Sequence, residues 1–428
     1  MKVFTYGNTL NNSYYLTKFL RDKGIDAEMF LDNSSKYGQD YPWWEDTHLT
    51  PDTLPDWIHY YPFKPNFLFP NKEFKKMIVE FSKCDVALVS GWGPIVASSA
   101  KVPFFFFSHG ADIYVTFLIE KIKKAIRDVF HFQKPSGIKS ALLLGGKQRK
   151  AIHNADRIGI LMGHQINNYV KKMGLLNKMV LIRLAWDIEK YKPQNSPEME
   201  EKYNKFELVY FMSTRHSWKS VWDDLKGNDK FIRAFARFVK VKKPNVKLVC
   251  VRKGQDVSAS IKLITSLEIE NYVEWIDEIN KDGIRAYNSL SNVIIVDQFW
   301  HDEWIKKFKE DIHYPRVGFG ATGIEALCAS KPLISLFFDE DFYDGNHPPM
   351  LSAFTEEEIY QRLVESLEMG EKGRNELGKR GYEFVKKYHG WENTVNLYIE
   401  TLKEILDERA GKNNRSTSDA ERTTQVHT

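Results

Sequence analysis

Cysteine is scarce in this chain of 428 residues: there are three, Cys84, Cys250 and Cys328, at unrelated spacings and each among apolar neighbours. So few, and an odd number, exclude a disulfide scaffold and fit a reducing compartment, where a buried thiol is the ordinary reading of each. Long apolar runs are missing too. Nothing approaches the roughly 18–20 consecutive apolar residues of a membrane span, and the opening MKVFTYGN turns polar at once, unlike a secretory signal. A cytoplasmic protein is expected, touching a membrane at most from its surface. Charge of one sign is lacking as well: 61 Lys and Arg against 57 Asp and Glu leave +4, which argues against a nucleic-acid partner. The 12 histidines show no ligand spacing, and HDE at 301–303 and DED at 339–341 read as solvated acidic loops, so no metal site is expected.

What is present is a globular composition, 43% hydrophobic and 14% aromatic, on a chain too long for one ordinary core. Short apolar runs end in polar loops and alternate with helical spacing: Val3 to Tyr6, Asp85 to Ser90, Val102 to Phe107, Arg157 to Leu161 and Met179 to Leu184. A second series begins at Leu208 to Met212 and continues through Val246 to Val251, Val293 to Val296 and Leu333 to Phe338. Strands alternating with helices predict α/β architecture with parallel sheets, here two Rossmann-like, doubly wound domains facing a central cleft. The boundaries expected are 1–190 for the first domain, 191–205 for a charged linker and 206–388 for the second. A C-terminal helix over 389–410 should pack back toward the first domain, and the polar tail 411–428 should be disordered.

Five constellations stand out. Gly318, Phe319, Gly320, Ala321, Thr322 and Gly323 form GFGATG, which literally satisfies the dinucleotide fingerprint but follows the polar segment KEDIHYPRV instead of a first strand. Under either reading, glycines and the amides of a following helix suit a phosphate. Glu325 then lies early on that helix, as a favourable acidic residue there or as an acceptor for two ribose hydroxyls. Arg215 and Lys226 sit on one connection after the Leu208 to Met212 run, as a solvated pair or as two cations for a diphosphate. In FFFFSHGADIY, His109 ends an apolar strand and Asp112 follows it; the imidazole is a satisfied core group or a base or hydrogen-bonding group facing a cleft. Gly7 and Asn8 open a polar loop, GNTLNN, that is a simple turn or a second ligand loop. Finally, residues 120–150 carry nine Lys and Arg (121, 123, 124, 127, 134, 139, 147, 149 and 150) against two acids, with Phe130, Phe132 and ALLL interleaved. That is a solvated face, or a patch for anionic lipid headgroups or a phosphorylated acceptor.

Taken in order, these residues resemble the retaining GT-B glycosyltransferases of glycosyltransferase family 4 over about 400 residues. Where that family reads EGFGLxxxEAMAxGxPVI, this chain reads VGFGATGIEALCASKPLI, matching at Gly318, Phe319, Gly320, Glu325, Ala326 and Pro332. Arg215 and Lys226 resemble the family's cation pair, Ser108 to Asp112 its His-Gly-x-Asp loop, and AWDIEKYKP, with Asp187, Tyr191 and Pro193, its interdomain segment. The resemblance implies a nucleotide diphosphate sugar as donor and a glycan or lipid-linked acceptor, with no cofactor and no metal. It further implies that Arg215 and Lys226 neutralise the diphosphate, the 318–323 loop cradles it, Glu325 holds the ribose and His109 contacts the transferred sugar. Gly7, Asn8 and Asp112 fall to an acceptor or donor loop. The family's first glutamate, which touches the donor sugar, is Val317 here. Two other functions compete: an NAD-dependent oxidoreductase using Gly318–Gly323, and a degenerate glycan- or nucleotide-binding protein.

Overall fold

The structure, a computed structural model, describes residues 1–35, 38–109, 111–114, 116, 122, 138–160, 169–219, 226–300, 302, 320–337 and 343–424. The chain divides into two compact units. The first holds Met1–Leu161, Ile166–Trp186 and Trp391–Thr428, and the second holds Asp187–Gly390.

Seven strands build the sheet of the first unit: β1 (Lys2–Tyr6), β2 (Asp26–Asp32), β3 (Ile58–Tyr61), β4 (Val86–Val89), β5 (Phe104–Ser108), β6 (Arg157–Ile160) and β7 (Met179–Leu181). Their order is β3-β2-β1-β4-β5-β6-β7 and every pairing is parallel. Parallel strands carry helices on both faces, so a central strand has no polar side. In β5, FFFFS, all five residues are buried: Phe104 and Phe106 join one core with Phe4, Tyr6, Phe74 and Phe81, while Phe105 meets the ring of Tyr398 at 6.0 Å on the other face. Tyr398 belongs to the helix Trp391–Thr424, whose Trp391 also stacks on Phe19 at 5.0 Å.

Six strands build the second sheet: β8 (Leu208–Met212), β9 (Val246–Val251), β10 (Val273–Ile276), β11 (Val293–Val296), β12 (Leu333–Ser335) and β13 (Leu351–Ser352), ordered β10-β9-β8-β11-β12-β13, again all parallel. Its core is aromatic: Tyr210 of β8 lies against Phe235 and Phe238 of the helix Asn228–Lys242, whose apolar residues recur at helical spacing. Both sheets thus have the doubly wound order expected from the sequence.

Two boundaries differ from expectation. The change of unit falls between Trp186 and Asp187, and the segment 191–205 is no linker: Pro197 starts a helix, Pro197–Tyr203, and Tyr203 is fully buried with its ring 5.7 Å from Tyr287. Aromatic Tyr191 is buried as well, so the segment's charges cover apolar anchors. The last helix runs to Thr424, past the 410 expected as its end and through most of the tail expected to be disordered. No proline interrupts that stretch, and Ala420, Glu421 and Arg422 are good helix formers.

Candidate functional site

In a doubly wound sheet, loops at the carboxyl ends of the strands meet ligands where the strand order reverses. In the second unit that point lies between β8 and β11. Both strands are wholly apolar and buried, LVYFM and VIIV, and both end abruptly in polar residues, Ser213–Thr214–Arg215 and Asp297–Gln298. Thr214 ties the two ends together, its hydroxyl donating to the Asp297 carbonyl at 3.1 Å.

Lys226 closes this corner. Its backbone N–H donates to the Ser217 carbonyl at 2.7 Å, its carbonyl accepts from the Phe299 N–H at 2.9 Å, and its Nζ donates to Gln298 Oε1 at 2.6 Å. Burial lowers the Lys226 pKa, Asp297 opposes that shift and the nearby Arg215 guanidinium adds to it. Asp297, 2% exposed, has its own pKa raised by burial and lowered again by Lys226 and by the Gly320 amide, which donates to Oδ2 at 2.7 Å. The Lys226 ammonium thus lies between the Asp297 carboxylate and the Arg215 guanidinium, both close enough to act on it. The reading of Arg215 and Lys226 as a solvated surface pair fails, because neither side chain is exposed.

Gly320 caps the helix Ala321–Cys328 in an extended conformation, and a Cβ there would lie 3.3 Å from Asp297 Oδ2. Ala321, Thr322 and Gly323 form the helix's first turn, so half of the expected glycine loop is helical, with Gly323 N–H returning to the Gly320 carbonyl at 3.0 Å. The first amides of a helix have no intrahelical acceptors and point outward. Gly318 and Phe319, and Val317 before them, lie outside the described residues. The helix follows β11, not β8, so the glycines do not occupy the first strand-to-helix turn that a dinucleotide fingerprint requires.

Glu325 is the fifth residue of this helix, past the first turn, so it is not a capping residue. It is 3% exposed and forms a buried ion pair with Lys281 at the start of the helix Lys281–Ser289. Lys281 also lies over the Tyr191 ring, 5.9 Å from its centroid.

In the first unit, Gly7 follows β1 and His109 follows β5. Gly7 has φ +85°, and a Cβ would fall 2.2 Å from the Ser90 carbonyl oxygen. Its own carbonyl accepts from the hydroxyls of Ser13 and Ser90, each at 2.5 Å. Asn8 stitches the loop from within: Nδ2 donates to Asn11 Oδ1 and to the Asp40 carbonyl, both at 2.7 Å, and Oδ1 accepts from the Tyr14 N–H at 2.9 Å. Asp112 is likewise structural in its contacts, accepting from the Ser108 hydroxyl at 2.7 Å and from the N–H groups of Ile113, Gly91 and His109 at 3.0, 3.1 and 3.3 Å. It clasps the ends of β4 and β5. His109 differs: its Nε2 is buried with no hydrogen-bond partner, and burial pulls its pKa down to about 4, so the ring is neutral. Gly110 lies outside the described residues.

Of the basic segment 120–150, most lies outside the described residues. The helix Ile138–His153 exposes Leu142 and Leu143, 60% and 49%, and Lys147 donates to the Phe67 carbonyl. All three cysteines are buried, and the Cys84 thiol is pushed up to about 12. Among the described residues no group of three His, Cys, Asp or Glu could hold a metal ion, and no helix is long and apolar enough to cross a membrane. Asp297, Gln298 and Lys281 were not singled out from the sequence. Asp297 had a signal, a carboxylate directly after an all-apolar strand; Lys281 had none.

No protein-family model and no curated protein matches this sequence. Solved structures do match. HepE from Anabaena, in complex with UDP and glucose, superposes with a TM-score of 0.61 at 14% identity, over 94% of this chain and 100% of that one. Sucrose-phosphate synthase from Thermosynechococcus elongatus gives 0.61 at 12% identity, covering 95% and 100%. The pneumococcal O-GlcNAc transferase GtfA, in complex with UDP and GlcNAc, gives 0.55 at 10%, covering 95% and 99%. At such identities the likeness speaks of the fold: two Rossmann-like parallel α/β units in the GT-B architecture.

Proposed function

We propose that this chain is a glycosyltransferase that moves a sugar from a nucleotide diphosphate donor, in the first instance a UDP-sugar, to a hydroxyl of a glycan or lipid-linked acceptor with retention. The observation that carries the reading is the corner at the reversal point of the second sheet. There Lys226, with Arg215 near it, and the start of the helix Ala321–Cys328, whose cap Gly320 is bonded to Asp297, bring three kinds of anion-stabilising group to one corner. HepE and GtfA, which share the fold, are structures in complex with UDP.

As the bond from the sugar's C1 to the phosphate oxygen breaks, negative charge collects on the departing diphosphate. The acceptor oxygen bonds to C1, and its proton leaves on the phosphate. Groups fixed in advance where that charge develops lower the barrier most, since they need no reorganisation. Lys226 is held by Gln298 and by two backbone hydrogen bonds, and an incoming diphosphate favours its charged form against the pull of burial. These cations fill the role a divalent ion plays in other nucleotide-sugar enzymes, so the transfer is read as metal-independent. Glu325, kept in place by Lys281, is assigned to the ribose, and the neutral His109 imidazole to the transferred sugar. Contact of the 120–150 segment with anionic lipid, at the cytoplasmic side of a membrane, belongs to the same proposal.

A screen of UDP-, GDP- and ADP-sugars for nucleotide release, with the anomeric configuration of any product read by NMR, tests it. UDP release with a retained anomer is expected. No release from any donor, with a melting temperature raised by NAD and not by UDP, overturns it.

A further inference from the structure

We infer that Asp256 is the positioning residue of Arg215: from the turn after β9 it fixes the backbone that carries this guanidinium to the corner beside Lys226. The inference rests on the proposed function for what the corner does, and on hydrogen bonds within the second unit for how it is held. Two like charges do not stay side by side of their own accord, so each needs an anchor. Lys226 has its own, Gln298 and the Phe299 N–H. The backbone at Arg215 is anchored elsewhere. His216, next in sequence and fully buried, donates its N–H to the Lys253 carbonyl at 2.6 Å, and its carbonyl accepts from the Asp256 N–H at 3.0 Å. The Asp256 carboxylate takes two further amides on Oδ2, that of Trp218 at 2.7 Å and that of Lys219 at 3.0 Å. These bonds clamp residues 216–219 to the turn 253–256. So close an approach needs glycine: Gly254 has φ +106°, and a Cβ on it would fall 2.4 Å from the His216 carbonyl oxygen.

What marks Asp256 is where its carboxylate goes. It stands at the N-cap of the helix Val257–Ser266, where an aspartate ordinarily accepts from the amides of its own first turn. Asp256 makes no such bond. It forgoes capping its own helix and turns to the connection after β8 instead. Ser260 lies one turn further on the same face and does likewise. Its buried hydroxyl accepts from the Trp218 indole N–H at 2.8 Å and meets His216 Nδ1 at 2.9 Å. The His216 ring in turn lies 4.9 Å from that of Trp275 in β10. The start of one helix thus holds both the backbone and the side chains that follow Arg215, so the direction in which the chain leaves β8 is set from beside β9. Arg215 then meets a ligand from a fixed backbone, which is what a preorganised cation requires.

The test is a double-mutant cycle on the full chain, read by the Kd of UDP in isothermal titration and by kcat with the donor that turns over fastest. Misplacing a fixed group by about 1 Å can cost about 10²-fold, so Asp256→Ala should weaken UDP binding and lower kcat by about ten-fold or more. In an Arg215→Ala background the same change should cost less than about two-fold, since no guanidinium is left to place. Asp256→Asn keeps one oxygen able to accept both amides and should stay within about three-fold of the unmodified protein. If Asp256→Ala does not fold, Ser260→Ala takes its place in the cycle, with a loss of about three-fold or more expected. No loss in the alanine variant, or an equal loss with and without Arg215, overturns the inference. An asparagine variant as weak as the alanine one overturns it too, because the charge of Asp256 is then the cause. Any of these results with donor turnover intact leaves the transferase reading standing. The expected coupling in UDP affinity without turnover of any donor removes the transferase reading and leaves the clamp; a protein that does not bind UDP removes both.

Discussion

Lys226→Met separates the role proposed for the lysine from the one its contacts show. Under the proposed function a donor diphosphate loses a cation, and Asp297, at 2% exposure, loses the neighbour that offsets its burial. Removing one preorganised group from a developing charge lowers kcat by about 10²–10³, which is about 3–4 kcal/mol. Breaking a buried charge pair from one side costs about 3–5 kcal/mol of stability. The lower end applies here, because Asp297 keeps the Gly320 N–H at 2.7 Å and can take up a proton. Burial already raises its pKa and Lys226 pulls it down, so the variant raises it further. A carboxyl whose folded pKa is raised binds more protons folded than unfolded. Its penalty is therefore absent below the unfolded pKa and grows as pH rises through the folded one. The melting temperature of Lys226→Met should fall below that of the unmodified protein by more at about pH 8 than at about pH 4.5. Adding Asp297→Asn removes the unpaired buried charge, so the double variant should regain most of the stability and none of the turnover. Thermal melts across pH, with UDP-release kinetics on both single variants and the double, decide it. If turnover returns together with stability, Lys226 is only the counter-ion of Asp297 and its role at the diphosphate is wrong. Turnover of the single variant within about two-fold of the unmodified protein refutes that role equally.

Gly7→Ala places a Cβ 2.2 Å from the Ser90 carbonyl in a left-handed conformation, and urea titration should show a loss of at least about 1–3 kcal/mol. His109 and His216 are both held down to about 4 by burial, so the charged ring is disfavoured in the folded state. Stability should be full above about pH 6.5 and fall as pH drops toward 4, and His216→Asn should flatten that slope in pH-dependent melts. Lys281→Met takes the Lys281 cation from the buried Glu325 carboxylate and should cost about 3–5 kcal/mol, whereas Lys281→Met with Glu325→Leu should recover most of it in a double-mutant cycle. In Glu325→Gln, isothermal titration should show UDP losing its preference over its 2′,3′-dideoxy analogue; an undiminished preference removes Glu325 from the ribose.

Both sheets were legible in the sequence at their centres, where burial on both faces leaves continuous apolar runs such as LVYFM and VIIV. The strands that escaped notice are β2, β3, β10 and β13. β2 opens and closes on aspartate, and the edge strand β10 reads VEWI with every residue half-buried, so neither presents the run that marks a central strand. The linker expected over 191–205 was misjudged for the converse reason: its charges outnumber two tyrosines, yet the tyrosines decide where the segment packs. Glu325 was legible as a position and not as an interaction, because Lys281, 44 residues away, reaches it only through the packing of two helices. Asp297 is a different case. His109 was singled out because it closes an apolar parallel strand, and the same criterion selects Asp297 after VIIV. A parallel strand buried on both faces has no room for a charged side chain within it, so the first polar residue past its carboxyl end is the first that can face a ligand. The carboxylate of Asp297, directly past β11, satisfies that criterion as fully as the histidine does, and it lies beside Lys226.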